Sequence, residues 1–247
     1  MPATALERLG ETLFRWRSFT PMALFAIALP IVWANRGAQA PGWLVACAVL
    51  CGAGQALRAW VLGQVADGTS GQNERLIAED LNTEGAYART RNPLYLGNLL
   101  ITLGVCAAAH SAALLALAAA LFALQYRAII AAEERFLRER FGARFAAYCA
   151  RVPRFWPRLR GPAPEARRSW SWRRALRKEH NPAAAWIALV LALLAWDAAA
   201  RGGRAHAWLW MLAGVAAAWL AVKAWKHRWL SGGFTSDLKR RLRETPR

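Results

Sequence analysis

Long apolar runs alternate along the chain with segments dense in arginine. Six runs have the length and composition of candidate membrane helices: 19–35, 42–65, 94–109, 111–132, 183–200 and 206–225. Several fall short of the ~20 residues that cross a bilayer comfortably, which predicts tilt or partial insertion. Pro30 lies inside the first run and predicts a kink there. The third and fourth runs are joined almost directly, at AAAHSAA, so they form a tight hairpin with His110 and Ser111 at its tip. From 133 onward the pattern changes. Leu137, Phe141, Phe145, Tyr148 and Val152 recur every three or four residues, with arginines on the other faces. That spacing predicts an amphipathic helix lying at the membrane surface and ended by Pro153.

The expected fold class is therefore all-α: a polytopic transmembrane helical bundle of about six membrane helices, with a tight helix-three/helix-four hairpin and an amphipathic interfacial helix. The organisation follows the same pattern. An N-terminal membrane helix occupies 1–41 and a membrane core 42–160. A basic linker containing GPAPEA covers 161–182, and a C-terminal helix pair with a basic tail covers 183–247. The N-terminus imitates a secretory signal, with basic residues, an apolar run and AQA at 38–40. Glu7, Glu11 and Pro41 speak against cleavage, so a retained first membrane helix is expected.

Charge changes the picture next. The 247 residues carry 33 Lys and Arg against 15 Asp and Glu, a formal charge of +18. In a soluble protein that excess points to nucleic acid. Here the basic residues sit in the gaps between apolar runs, so no nucleic acid is expected, and orientation control and anionic membrane lipids account for them. The segments 1–18, 66–93, 133–182 and 223–247 hold 28 Lys and Arg, whereas the opposite turns hold Arg36, Arg201 and Arg204. That bias places both termini in the cytoplasm, with the protein integral to the inner, cytoplasmic membrane. Tryptophans near both ends of the helices, such as Trp33, Trp43, Trp196 and Trp208 on one side and Trp16, Trp186 and Trp225 on the other, form aromatic belts. Cys47, Cys51 and Cys106 lie in apolar runs and Cys149 in the amphipathic stretch. No CxxC pair or His/Cys spacing suggests a metal site.

The chemistry concentrates in YARTRNPLYLGN, residues 87–98. Arg91, Asn92 and Pro93 open the third helix. Proline is suited to that position because its missing N–H is one that a helix start leaves unpaired. The free N–H groups and the helix dipole there favour an anion, and Arg91 adds a forked donor for carboxylate or phosphate. Tyr87 and Tyr95 flank it with aromatic faces. Counting back from the hairpin tip places position 91 opposite about 128. Glu133 and Glu134 then lie one to two turns beyond, roughly 8 Å at 1.5 Å per residue. Arg127 shares that zone, and Arg58 and Trp60 approach it from the second helix. Charged groups at membrane depth are rare and mark function. Arg135, Arg138, Arg140 and Arg144 are read instead as anchors snorkelling to lipid headgroups. The cluster suits a zwitterion with a carboxylate, a cation and a flat base. S-adenosylmethionine has all three, with its sulfonium suited to tyrosine faces. A nucleotide fits the same chemistry.

GAYARTRNPLYLGN at 85–98 and YRAIIAAEERFLRERFGARFAAYCARVPRFWP at 126–157 resemble the integral membrane methyltransferases, among them isoprenylcysteine carboxyl methyltransferase and the phospholipid methyltransferases. The likeness rests on Gly85, Tyr87, Arg91, Pro93, Tyr95 and Gly97, then on Glu133, Glu134, Leu137, Phe141, Gly142, Tyr148, Val152 and Pro153. It covers about 42–160, so that segment is read as a methyltransferase-like core. Asn92 stands where many relatives have His, which excludes a histidine base at that position. The resemblance implies S-adenosylmethionine bound by Gly85, Tyr87, Arg91, Asn92, Pro93, Tyr95, Gly97, Asn98, Glu133, Glu134 and Tyr148. Arg91, Glu133 and Glu134 are the catalytic candidates, and Arg58, Trp60 and Arg127 the candidates for substrate contact. A lipid or lipidated acceptor would enter sideways from the bilayer. An amine, a lipid phosphate and a prenylated carboxylate all satisfy this reading. A bacterial-looking topology favours a lipid headgroup, and the pattern sets no oligomeric state. Two other readings stand beside it. One is an NADPH-dependent reductase of the sterol-reductase type, which paired glutamates disfavour beside a phosphate-rich cofactor. The other is a non-catalytic lipid-binding membrane protein. Residues 161–247 have no place in the family core. They are expected to shape a substrate groove, make an oligomer contact or anchor the chain.

Overall fold

A computed structural model describes residues 3–35, 41–65, 78–158, 160 and 169–244, and among these it contains only helices and loops. The elements are α1 (Ala5–Trp16), α2 (Thr20–Asn35), α3 (Pro41–Gln64), a 3-10 turn (Gly85–Ala88), α4 (Pro93–Ala107), α5 (Ala112–Arg151), α6 (Trp172–Ala200) and α7 (His206–Glu244).

The all-α bundle expected from the hydropathy pattern is present, with a different division into spans. Among the described residues, four helices are long and apolar enough to cross a membrane: Gly42–Gln64, Ala112–Arg151, Trp172–Ala200 and His206–Lys226. A fifth is counted if α1 and α2, which meet at 73°, form one bent span. The remaining expected span is α4, which has 15 residues. At 1.5 Å per residue it rises only about 22 Å. Two other boundaries move. The amphipathic stretch is not a separate element but the second half of α5, which runs for 40 residues with one non-helical position, Gly142. Gly142 has φ 48°, a conformation that glycine adopts without strain. Also, α6 begins at Trp172, inside the expected linker, because Ser171 caps it by accepting from the Arg174 N–H. GPAPEA lies outside the described residues.

An element that hydropathy did not announce is α1. Thr4 and Glu7 form a reciprocal capping box at its start. The helix then lies along α5: a side chain at Gly10 would collide with the Ala128 backbone, and Glu11 pairs with Arg135 at 2.6 Å.

The hairpin is as tight as expected. His110 takes a left-handed φ of 50°, and the Ser111 hydroxyl accepts from the Leu114 N–H at 3.2 Å to start α5. The Trp43 indole donates to the Ala107 carbonyl at 3.0 Å, tying α3 to the tip. Lower down, α3 and α4 touch through glycines. A Cβ on Gly54 would lie 2.6 Å from the Gly97 carbonyl, and one on Gly97 would lie 2.6 Å from the Arg58 Cγ.

The N-terminal end of α6 is fastened to the C-terminal end of α3. The Gly63 carbonyl accepts from the Ser171 N–H at 3.0 Å and from the Arg174 guanidinium at 2.6 Å. A helix C-terminus leaves its last carbonyls unpaired and favours cations, and α6 supplies both needs. Leu24, Ala28 and Val32 of α2, Cys51 of α3, Val105 and Cys106 of α4, Leu114 and Ala118 of α5 and Leu193 of α6 share one buried apolar cluster. By contrast, α7 packs against α6, and nothing in its apolar stretch is buried. Its exposed Leu209, Trp210, Met211 and Leu220 suit contact with lipid.

The glycine contact yields a test. Gly97→Val should destabilise the bundle by about 1–3 kcal/mol through overpacking. This would appear as a lower melting midpoint in detergent, and an unchanged midpoint would refute the close α3–α4 approach.

Candidate functional site

The site is built where the two polar blocks meet. The turn Gly85–Ala88 starts from Gly85 in a left-handed conformation, φ 58°. The next four residues are strapped to the chain that follows α5. The Arg91 N–H donates to the Pro153 carbonyl at 2.9 Å, the Thr90 hydroxyl to the Phe155 carbonyl at 2.7 Å and the Asn92 amide to the Arg154 carbonyl at 2.7 Å. The Tyr148 hydroxyl donates to the Tyr87 carbonyl at 2.7 Å. Pro93 then opens α4 at its first turn. Asn92 is thus mainly a strut between segments, and its side chain makes no capping bond.

The two glutamates have different surroundings. Glu134 is buried and held by two arginines: Arg91 at 3.0 Å, and Arg154 through a fork whose Nε lies at 3.0 Å. Glu133 accepts from the Tyr95 hydroxyl at 2.6 Å and, among the described residues, has no ion pair. One nitrogen of Arg91, Nε, is buried without a hydrogen-bond partner among the described residues. Tyr95 packs against Tyr126 at 4.6 Å between ring centroids, and Tyr126 stacks on Phe122 at 4.1 Å. Burial pushes the Tyr87 phenol above its ordinary pKa, so it remains neutral.

These groups line one end of a cavity of about 670 Å³. Tyr87, Arg91, Asn92, Tyr95, Glu133, Glu134 and Tyr148 face it, together with Asp80 and Asn82. From there it extends between α2, α4 and α6 into an apolar arm walled by Leu24, Phe25, Ala28, Val105, Leu189 and Leu193. The size lies within the ~300–1,000 Å³ of small-molecule sites. On the wall between the two regions, the Arg58 guanidinium grips Glu179 with Nε at 2.9 Å and Nη2 at 2.7 Å, and also donates to Asn98. Asn98 donates in turn to the Tyr126 hydroxyl at 2.9 Å.

The cavity thus gathers most of the residues singled out from sequence. Gly85, Pro93 and Gly97 shape the backbone behind it. Trp60 and Arg127, expected to contact substrate, do not line this cavity. Both are exposed, Trp60 by 42%. The sequence fixes their depth but not their rotation: Arg127 is one step of 100° from the inward-facing Tyr126, and Trp60 is two steps from Arg58. Glu179 and Arg154 were missed. Glu179 had a signal, since it is the one acidic residue in RRSWSWRRALRKEHNPAAAW.

Residues 43–144 match the phospholipid methyltransferase family model. Over 79 residues the chain is 48% identical to the cobalt-zinc-cadmium resistance protein CzcN of Cupriavidus metallidurans, covering 32% of this chain and 36% of that protein. Over 80 residues it is 40% identical to the nickel-cobalt-cadmium resistance protein NccN of Alcaligenes xylosoxydans xylosoxydans, covering 32% and 37%. The chain therefore spans little more than a third of the length of these curated relatives. No solved structure matches. Those names speak of metal resistance and of no reaction. Among the described residues no group of three or more His, Cys, Asp or Glu is placed to hold a metal ion. The family match spans α3, α4 and most of α5, and so contains Arg91, Glu133 and Glu134. It leaves out α1, α2, α6 and α7.

The unequal surroundings of the glutamates predict unequal substitutions. Glu134→Gln strands two guanidinium groups and should cost about 2–3 kcal/mol, less than for a fully enclosed pair because Arg154 is half-exposed. Glu133→Gln keeps an acceptor for Tyr95 and should cost under about 1 kcal/mol. Equal losses of thermal stability would contradict the assignment of Glu134 as the structural member.

Proposed function

We propose that this protein is a membrane-embedded methyltransferase that uses S-adenosylmethionine and acts on a lipid headgroup or lipidated acceptor. The observation that carries this reading is one cavity with two characters: a polar end holding Glu133, Arg91 and three tyrosines, and an apolar arm between membrane helices. The match of residues 43–144 to phospholipid methyltransferases supports it.

The residues present fit the cofactor. Glu133, which faces the cavity and makes no ion pair among the described residues, suits an ammonium group, although the Arg17 charge also reaches it. The buried Arg91 Nε has a donor to offer a carboxylate. The faces of Tyr87, Tyr95 and Tyr148 suit a sulfonium or a base. Bound there, S-adenosylmethionine would supply an electrophilic methyl group. The chain's own contribution is alignment and exclusion of water. Glu134, clamped by Arg91 and Arg154, keeps Arg91 in place. The apolar arm receives a hydrocarbon tail and so presents the acceptor's head to the polar end. An anionic acceptor needs no base. An amine must release a proton, and Glu133 is the carboxylate placed to take it. With the polar end toward the cytoplasm, as the basic residues direct, cofactor arrives from water and acceptor from the bilayer.

The reductase reading loses ground on the same geometry. Arg58 and Arg91 are each engaged by a carboxylate, a poor start for the phosphates of a dinucleotide.

Calorimetry on the purified protein in detergent, paired with transfer of radiolabelled methyl into a total lipid extract, tests the proposal. Saturable cofactor binding and a labelled lipid are expected. Glu133→Gln should lower transfer by roughly 10²-fold or more while the protein stays folded. Absence of cofactor binding by the wild-type protein would sink the reading.

A further inference from the structure

The family-matched segment does not enclose the cavity by itself. One wall comes from α6, where Asn181, Pro182, Ala185, Trp186, Leu189 and Leu193 face the cavity. Directly behind this wall sits Glu179, only 4% exposed. Both of its oxygens are used. One accepts from Arg58 Nη2, the other from Arg58 Nε and from the Gln55 amide at 2.7 Å. Gln55 in turn accepts from the Trp186 indole at 2.9 Å. The remaining arm of the Arg58 guanidinium reaches Asn98, and Asn98 reaches Tyr126. Arg58, Asn98, Tyr126 and Trp186 all face the cavity, whereas Glu179 does not. Arg58 cannot take another pose cheaply, since its stem lies against Gly97. A buried guanidinium with a forked carboxylate partner is fixed in one plane.

We infer that Glu179 is a positioning residue: through Arg58 it orients the Arg58–Asn98–Tyr126 strip that meets the acceptor's head, and through Gln55 it orients Trp186 at the entrance to the apolar arm. The C-terminal segment is thereby part of the acceptor site and not only an anchor. This rests on the methyltransferase reading for the reaction, but not for the binding of an apolar chain. The pair is neutral overall, so its role is to aim hydrogen-bond donors and not to attract charge from a distance.

The test uses the full chain in lipid-containing micelles with three readouts. They are cofactor affinity by calorimetry, methyl transfer into a total lipid extract, and photolabelling by a diazirine-bearing fatty acid mapped by mass spectrometry. In the wild type, label is expected on α6 peptides around Ala185 and Trp186. Ala185→Trp, at a position exposed to the cavity, should remove that label. Glu179→Gln should leave cofactor affinity within about twofold. It should lower transfer at least tenfold by raising the lipid concentration needed for half-maximal rate, with Glu179→Asp recovering part of the loss. The double variant R58M/E179L removes both charges and guards against simple misfolding. It should melt near the wild type yet remain deficient in transfer and in α6 labelling. A fully active double variant would mean that the pair only fastens α6, and would overturn the inference. So would a Glu179→Gln protein with unchanged transfer and labelling. If the wild type binds no cofactor, the methyltransferase reading fails on its own. The labelling of α6 in the wild type, Ala185→Trp and Glu179 variants still decides whether Glu179 sets the apolar-chain site.

Discussion

A charge removed from water must be paired, and in this bundle that constraint falls first on Glu134. It is buried on α5, and the two arginines that hold it come from different places in the sequence: Arg91 from just before α4 and Arg154 from just after α5. Satisfying one carboxylate therefore closes the polar end of the hairpin and brings the chain beyond Pro153 back across residues 89–92. The backbone bonds between those segments follow from that return. So does the freedom of Glu133. With Glu134 holding Arg91 and Arg154, its neighbour faces the cavity bonded to the Tyr95 phenol, with Arg17 on the same cavity wall. Two adjacent glutamates thus divide into one that builds and one that is available, through the 100° between consecutive residues on a helix.

The parts of this arrangement legible in the sequence were those in which polar residues interrupt apolar ones. Arg91, Asn92, Glu133 and Glu134 stand out against their surroundings, and the short AAAHSAA link fixes their mutual depth. What hydropathy did not convey was where helices begin and end once they leave the apolar zone. Residues 133–141 of α5 are mostly Glu and Arg with Phe136, Leu137 and Phe141, and the strong helix formers among them give no reason to stop at the membrane surface. The break waits for Gly142. Ser171 and the basic turn after it carry a helix cap and good helix formers, but their charge gives them the composition of a linker. In α1, Glu7, Glu11, Arg8 and Arg15 hid an amphipathic helix whose apolar side is spent on α5. Rotation was the other gap. Arg58 and Trp60, or Tyr126 and Arg127, are close in depth but point in different directions, about 200° and 100° apart around the helix. Only the packing of α3 against α4, and of α5 against α1, decides which of each pair faces inward.

The short helix α4 explains why the cavity can be polar at one end and apolar at the other. With the hairpin tip at one face of a hydrocarbon layer about 30 Å thick, a helix rising about 22 Å ends some 8 Å short of the opposite face. Its partner α5 continues well past that level. Arg91 and the turn before it are thus recessed beside a longer wall, with their backbone N–H groups turned to protein rather than lipid. Non-helical backbone is tolerated at such depth only where protein or water satisfies it, and the strap from Pro153 to Arg158 does so. The recess continues along α4 into the apolar arm. A full-length α4 would have carried Arg91 and Tyr95 out to the headgroups, separating the polar end from the apolar arm. A helix shorter than its membrane, set against one that overshoots it, joins a polar end and an apolar arm in one cavity without a channel across the bilayer.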